Sequence, residues 1–260
     1  MPAVRACVVA HRRNRYCWDL AARSQAQDFK GLAMVMTSLA QTQCQVFLEG
    51  EGDRWFDRNR STLNQQKSFY ENEAIKRVLA GHRDRIGDIL EIGCGNGVKL
   101  ADLCQFFAAQ GHGIDPSAEA VREGMDKFPN ANVHLDVSIA SHIPHGDASM
   151  DLVYFGFCLY LVDRTEILKA VAEADRVLKS GGFLAILDFD PGIRHKRAYH
   201  HKPGLFSYKT CYADFFTASG HYYLVAKDSF SHSEHAFSPD SDERVSICIL
   251  YKEPEPYGKG

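Results

Sequence analysis

An apolar run, Ile89-Leu90-Glu91-Ile92, leads directly into Gly93-Cys94-Gly95-Asn96-Gly97, the part of the chain best suited to chemistry. Glycines at alternate positions let the backbone turn sharply and come within contact distance of a bound molecule, whose polar groups meet the free N–H groups of a helix beginning there. At the carboxyl end of a parallel strand, such a turn stands where open α/β sheets bind ligands. It is a nucleotide-type site, set against the plainer alternative of a glycine-rich turn with no ligand. Twenty-four residues after Glu91, the stretch Gly113-Ile114-Asp115-Pro116-Ser117 ends a second apolar run in a carboxylate. Asp115 there can accept both hydroxyls of an adenosine ribose, although an Asp at a strand end, taken alone, is more often a helix cap.

The details decide which nucleotide is favoured. A dinucleotide fingerprint is G-x-G-x-x-G/A, and here Val98 stands at its last position, with acidic Glu91 two residues before the first glycine. A pyrophosphate would meet that carboxylate unfavourably. S-adenosylmethionine has no phosphates and carries a cationic sulfonium and ammonium, so an acid near the loop favours it. No G-x-x-x-x-G-K-[ST] phosphate loop occurs.

Two further stretches carry reactive or binding side chains. Phe155-Gly156-Phe157-Cys158-Leu159-Tyr160-Leu161 is unusually aromatic for a loop. Phe157 and Leu159 read equally well as core, whereas the Tyr160 phenol needs a hydrogen-bond partner when buried. Farther on lie Arg194-His195-Lys196-Arg197 and His200-His201-Lys202, followed by Tyr208, Lys209 and Tyr212. This is either a substrate-binding loop or a solvated basic one. Adjacent histidines cannot easily face one metal, and no carboxylate or cysteine set completes a ligand cluster, so no metal is expected.

These groups need a scaffold, and the apolar pattern supplies one. Short runs at Asp88–Ile92, His112–Ile114, Val133–Leu135, Leu152–Phe155 and Phe183–Leu187 alternate with helical patterns, the signature of βαβ units. Leu100, Leu103, Cys104 and Phe107 follow helical spacing behind the glycine cluster. A second helix is expected from a capping box at Asp163 and Glu166, with a buried stripe of Ile167, Leu168, Val171, Ala174 and Leu178 and a stop at Gly181-Gly182. Tyr222–Ala226 and Val245–Leu250 read as two last strands, and Trp55 to Leu79 as one or two amphipathic helices ending near Gly81.

Residues 1–45 are Arg-rich and lack a sustained period. They read as a poorly ordered arm, an Arg-rich presequence, or an over-extended start whose true initiator is Met34 or Met36. Residues 46–256 are expected to form one domain, with a cofactor half at about 86–190 and an acceptor-side insertion at about 190–220.

The series EIGCGNG, GIDPS, then Pro144 and Asp151-Leu152-Val153, then EADRVLKSGGFLAILDF covers about Asp88 to Phe189. It resembles the ordered motifs of class I S-adenosylmethionine-dependent methyltransferases. The resemblance implies an α/β fold: a Rossmann-like, doubly wound, seven-stranded, mostly parallel sheet with an antiparallel last strand and helices on both faces. It further implies that Gly93, Cys94, Gly95 and Asn96, with Glu91 nearby, line the methionine and ribose side. Asp115, with Pro116 beside it, would bind the ribose, Ser138-Ile139-Ala140 would border the adenine, and Phe155 would begin the stretch that contacts the methionine part. Many members of the class have an acid where Ile139 stands, so another polar group must satisfy the adenine amine.

With 260 residues, 45% of them hydrophobic, the chain can bury a full core, and its net charge of −3 supplies no basic field for nucleic acid. Its longest apolar run, Leu152 to Val162, is about half of the ~20 residues that span a membrane. Eight scattered cysteines without a C-x-x-C pair suggest free thiols in a reducing, cytoplasmic compartment. The expected partner is thus a small-molecule acceptor, anionic or sugar-containing, with the oligomeric state open. O-methylation of a sugar or nucleotide-sugar stands first, because the Trp55-Phe56 lead-in and the Tyr199-His200-His201 loop are similar to bacterial methyltransferases of surface-sugar gene clusters. N- or O-methylation of another metabolite stands second. His200 or His201 is the expected general base, Tyr160 and Tyr208 would orient the substrate, and Arg194, Arg197 and Lys202 would clamp an anionic part of it. A non-catalytic S-adenosylmethionine-binding protein and a nicotinamide oxidoreductase are the alternatives from other classes.

Overall fold

The computed structural model describes residues 41–65, 68–129 and 132–258. Residues from Thr42 onward make one unit, and of the other, Met1–Gln41, only Gln41 is described. The expectations of a tail, a presequence or a late start therefore concern residues outside the described ones.

Each apolar run becomes a strand: β1 (Asp88–Ile92), β2 (Gln110–Asp115), β3 (Val133–Val137), β4 (Met150–Gly156) and β5 (Leu178–Phe189). A small hairpin follows, β6 (His195–Ala198) and β7 (Phe206–Lys209), and then β8 (Tyr222–Ser231) and β9 (Arg244–Lys252). The main sheet has seven strands in the order β3-β2-β1-β4-β5-β9-β8. β1 to β5 run parallel, and β9 lies antiparallel between β5 and β8. Successive residues of the central strands enter opposite faces, and both faces are buried: Leu90, Val153 and Leu184 on one, Ile89, Leu152 and Ala185 on the other. That explains why these strands read as continuous apolar runs rather than as alternation.

The helices are α1 (Gln43–Val46), α2 (Gly52–Gln65), α3 (Tyr70–Leu79), α4 (Val98–Phe107), α5 (Ala118–Lys127), α6 (Ile167–Val177) and α7 (Asp214–Thr217). On one face α3 and α4 bury Ile75, Leu79, Leu100, Leu103 and Phe107, and on the other α6 buries Ile167, Ala170, Ala174 and Val177. This is the doubly wound α/β arrangement that the sequence implies.

Three local expectations are corrected. The unit from Thr42 onward takes in residues 42–45, which the sequence assigns to the tail: Thr42 and Gln45 form a capping box, and the buried Gln43 amide donates to Leu161 O (2.7 Å) and Phe206 O (2.8 Å). A buried glutamine leaves no apolar period to read. The capping box expected at α6 is absent, because the Asp163 carboxylate instead accepts from the backbone N–H groups of Thr165 (3.0 Å) and Gln43 (3.1 Å). Helix α6 also stops at Val177, before the glycine pair, with Leu178 opening β5; Leu168, placed in the stripe, is 68% exposed, and Ala170 takes its place.

Candidate functional site

The turn after β1 is held by backbone bonds to the next strand, Gly93 N and Cys94 N both donating to Ile114 O (2.8 and 3.1 Å). Gly93, Gly95 and Gly97 all have positive φ. At Gly93 a Cβ would also lie 2.6 Å from Cys158 Cβ, so only glycine lets this turn approach the segment after β4. Asp115, at the end of β2, ties the turn down. One carboxylate oxygen accepts from Gly95 N (2.9 Å) and the other from Ser117 N (2.8 Å). Burial pushes its carboxyl up to about 6, against those two bonds, which lower it.

A cleft of about 710 Å³ opens at this edge of the sheet. Six of the expected residues line it: Gly93, Asp115, Pro116, Ser138, Ile139 and Ala140. Five do not, each for a physical reason. Glu91 is buried under the turn on the face of the sheet that α3 and α4 cover; burial pushes its carboxyl up to about 8 despite nearby Lys99, and Oε2 has no hydrogen-bond partner. A carboxyl so placed is mostly neutral at pH 7, so it does not provide the negative charge expected of it near the loop. Cys94 turns its thiol into the core, where a Cβ on Gly113 would lie 2.8 Å from its sulfur. The Gly95 N–H is engaged by Asp115. Asn96 is buried outside the cleft, donating to Asn64 Oδ1 (3.0 Å) and Glu123 Oε1 (2.9 Å). Phe155 enters the core, and the strand's alternation leaves Gly156, with Phe157 and Cys158 beyond it, as lining.

The opposite wall comes from the N-terminal segment, through Cys44, Phe47, Gly52 and Trp55. Gly50, with φ 132°, kinks the chain between α1 and α2. Asp53 then docks α2, its Oδ1 accepting from Ser117 Oγ (2.7 Å) and Glu119 N (3.0 Å) at the start of α5, while Arg60 pairs with Glu119 and Glu123. The helix read from Trp55 onward thus supplies part of this wall, and Cys44 and Phe47, which lie in no recognisable motif, supply the rest.

A second cleft, of about 1000 Å³, adjoins the first and shares Trp55 and Phe157 with it. Phe157 has φ 64°, unusual for a bulky side chain, and such backbone strain clusters at functional sites. The three expected catalytic residues, Tyr160, His200 and His201, all line this second cleft. Tyr160 is almost fully buried, and its ring packs against Phe157 and Phe189. Of the expected cationic clamp only Arg197 lines the cleft, and it pairs with Asp242; Arg194 and Lys202 are outside. Tyr208 is also outside, beneath the Arg164 guanidinium at 4.4 Å. His232 and Lys209 line the cleft without an assigned role in the sequence. The His232 ring stacks near Phe157 (5.5 Å) and Phe189 (5.6 Å), and burial lowers its pKa, so the imidazole is neutral at pH 7.

Among the described residues, no group of three or more His, Cys, Asp or Glu converges on a possible metal position, and no helix is long and apolar enough to cross a membrane. The six described cysteines are free, and Cys7 and Cys17 lie outside the described residues.

Comparison with known proteins agrees with this geometry. A methyltransferase domain family matches residues 89–182. The chain is 33% identical over 105 residues to the O-methyltransferase cnsE of Penicillium expansum, covering 38% of this chain and 37% of that protein. It is 33% identical over 111 residues to the ubiquinone/menaquinone biosynthesis C-methyltransferase UbiE of Vibrio campbellii, covering 40% and 42%. The match thus spans well under half of these relatives. Among solved structures, the 1,6-didemethyltoxoflavin-N1-methyltransferase of Burkholderia thailandensis, with bound S-adenosylhomocysteine, superposes with a TM-score of 0.63 at 15% identity, covering 80% of this chain and 88% of that one. The N-methyltransferase NodS of Bradyrhizobium japonicum, also in complex with S-adenosylhomocysteine, gives 0.53 at 15% identity, covering 71% and 92%. Residues 89–182 are therefore a methyltransferase domain, carried on the Rossmann-like class I fold of the S-adenosylmethionine-dependent methyltransferases.

Proposed function

We propose that this chain transfers a methyl group from S-adenosylmethionine to a small-molecule acceptor held in the second cleft. The observation that supports this reading is that a second cleft shares Trp55 and Phe157 with the cleft lined by Asp115. The residues of the first cleft fit the cofactor. Each Asp115 oxygen accepts one backbone N–H and keeps a lone pair for a ribose hydroxyl. Ile139 and Ala140 offer an apolar border for a base, and Ser138 Oγ, which donates to His142 O (2.5 Å), retains acceptor capacity for an exocyclic amine. When bound, S-adenosylmethionine supplies an electrophilic methyl on a sulfonium.

The protein's part is positioning and water exclusion. Trp55, Phe157 and Tyr160 fix how closely an acceptor atom approaches the junction of the clefts, where most of the acceleration of an in-line displacement arises. A hydroxyl acceptor also needs a base, and His200, His201 and neutral His232 line the same chamber. O-methylation of a sugar or nucleotide-sugar is the finer reading taken from the sequence, and Asn59, Ser207 and the two loop histidines provide polar groups for hydroxyls. The compartment is read as the cytoplasm, from the scattered free thiols.

Titration with S-adenosylhomocysteine of the wild type beside Asp115→Ala and Asp115→Asn tests the first cleft, and release of S-adenosylhomocysteine over an acceptor panel tests the second. Micromolar binding lost in the alanine variant, with turnover on at least one acceptor, is the expected result. No binding by the folded wild type sinks the proposal, and binding without any turnover favours a non-catalytic S-adenosylmethionine-binding protein.

A further inference from the structure

Lys209, on β7, is 8% exposed and lines the second cleft. Its ammonium lies 3.8 Å from the centre of the Phe189 ring and donates to Asp242 O at 3.1 Å. Among the described residues no carboxylate comes within 4 Å of it, whereas the half-buried Lys227 and Lys252 carry Asp190 (2.8 Å) and Asp175 (2.9 Å). The acid closest to hand is otherwise engaged. Asp242 turns its carboxylate to Arg197 and to His195 (3.4 Å), leaving only its main-chain carbonyl for Lys209. A buried cation without a counter-ion is costly, and burial accordingly lowers its pKa. An ammonium has three protons, and only one of them meets a protein oxygen here.

The surroundings narrow what would complete it. Phe157, Phe189 and His232 line the chamber with rings, the His232 ring tilted 28° and 24° from the other two, which are tilted 52° from each other, and Trp55 and Tyr160 add to the same chamber. A flat ring packs against such a lining, and a cationic acceptor would be repelled by Lys209 and Arg197 together.

We propose that Lys209 is the anion-binding group of the acceptor chamber, and that the acceptor is a flat-ringed small molecule bearing a carboxylate or phosphate whose oxygen completes the ammonium's bonds. This rests on the second cleft being the acceptor site. It moves the anion clamp from Arg194 and Lys202, which do not line the chamber, to a residue that does.

The test uses the full chain saturated with S-adenosylhomocysteine at about 0.15 M salt, where long-range attraction is screened. Binding of 3-hydroxybenzoate, its neutral isostere 3-hydroxybenzamide, and uridine diphosphate glucose is measured by calorimetry for the wild type, Lys209→Met and Lys209→Arg. In the wild type one of the two anions should bind at least about tenfold more tightly than the neutral amide, a gap of about 1.4 kcal/mol. The methionine variant should lose that preference and the arginine variant keep part of it, with S-adenosylhomocysteine binding unchanged in both. A preference for the nucleotide-sugar identifies phosphate as the recognised group, and a preference for the benzoate identifies carboxylate. Neither anion binding more tightly than the amide, or a methionine variant that is folded and keeps the preference, overturns the proposal. Failure to bind S-adenosylhomocysteine instead overturns the methyltransferase reading, so the two failures are told apart in one titration series.

Discussion

Asp115 joins three parts of the cofactor cleft through one carboxyl group: the glycine turn, the start of α5 and the proposed ribose position. Because burial pushes its carboxyl up to about 6, the protein without ligand protonates it in mildly acid solution. Hydroxyl donors bind a carboxylate more strongly than a carboxylic acid. Affinity for S-adenosylhomocysteine should therefore be constant above about pH 7 and weaken as pH falls through 6, and Asp115→Asn should bind weakly with no such dependence. A wild-type affinity that is level from pH 8 to pH 5 would remove the charged role of Asp115. Trp55 is the complementary case, an apolar wall shared by both clefts. Trp55→Ala should weaken S-adenosylhomocysteine by about tenfold, equivalent to about 1.4 kcal/mol, and unchanged affinity would dismiss the closing role of α2.

At the scale of elements, the first cleft depends on how closely α5 approaches the glycine turn, and Gly124 sets that distance. A Cβ there would lie 2.6 Å from the Asn96 carbonyl oxygen and 2.3 Å from a Leu135 methyl. The leucine side chain can move, but the turn's backbone cannot without disturbing Gly95 and Asp115. In an ordinary helix Gly→Ala is stabilising by about 0.5–1 kcal/mol, so a loss at this position isolates the steric cost. Gly124→Ala should cost about 1–3 kcal/mol, lowering the melting temperature by about 2–4 °C for each kcal/mol, and should weaken S-adenosylhomocysteine as well. Gly81→Ala, where a Cβ meets nothing within 4 Å, is the control and should do neither.

The same elements show what a linear reading can reach. β1 was expected at Asp88–Ile92 and lies there, because a strand buried on both faces is written as an apolar run bounded by glycine. The stripe of α4 was equally plain, since Leu100, Leu103, Cys104 and Phe107 are all core. Direction was harder. Glu91, Cys94, Asn96 and Phe155 lie beside the cleft in sequence but turn away from it, a matter of strand parity and turn geometry that motif position does not encode. Lys209 and His232 needed the fold itself: they are 23 residues apart, on a hairpin and a loop that meet only after β8 is in place. The wall from Cys44 to Trp55 was only partly legible, because it is anchored by polar contacts of Gln43 and Asp53 that leave no periodic signature.

Across the whole molecule, the carboxyl edge of the sheet concentrates acids: buried Glu91 near the end of β1, half-buried Asp115 at the end of β2 and buried Asp188, next to last in β5. Burial pushes the carboxyls of Glu91 and Asp188 up to about 8, from ordinary values of 4.5 and 3.8. A raised folded value means that the folded chain holds these protons more tightly than the unfolded one, so the stability they contribute is complete below about pH 4 and is lost as pH rises through 8. Other groups obscure part of that range. Arg176 holds Glu173 down at about 2, so its contribution is lost in acid, and burial lowers the pKa of His112, His145 and His232, which adds stability as pH rises toward 6.5. Between about pH 7 and 8 the histidines are close to fully neutral in both states and the unfolded thiols are only beginning to ionise, so Glu91 and Asp188 contribute most of the slope. The melting temperature should fall across that window, and Glu91→Gln combined with Asp188→Asn should flatten it. Because Asp188 accepts from the backbone N–H groups of Tyr160 and Phe189, its amide replacement alone should lower stability at every pH, whereas Glu91→Gln alone should change chiefly the slope. A wild-type melting temperature that is level from pH 7 to 8 would mean that the two acids are ionised in the folded chain, and with Glu91 charged beneath the glycine turn, the electrostatic preference for a cationic cofactor would be restored.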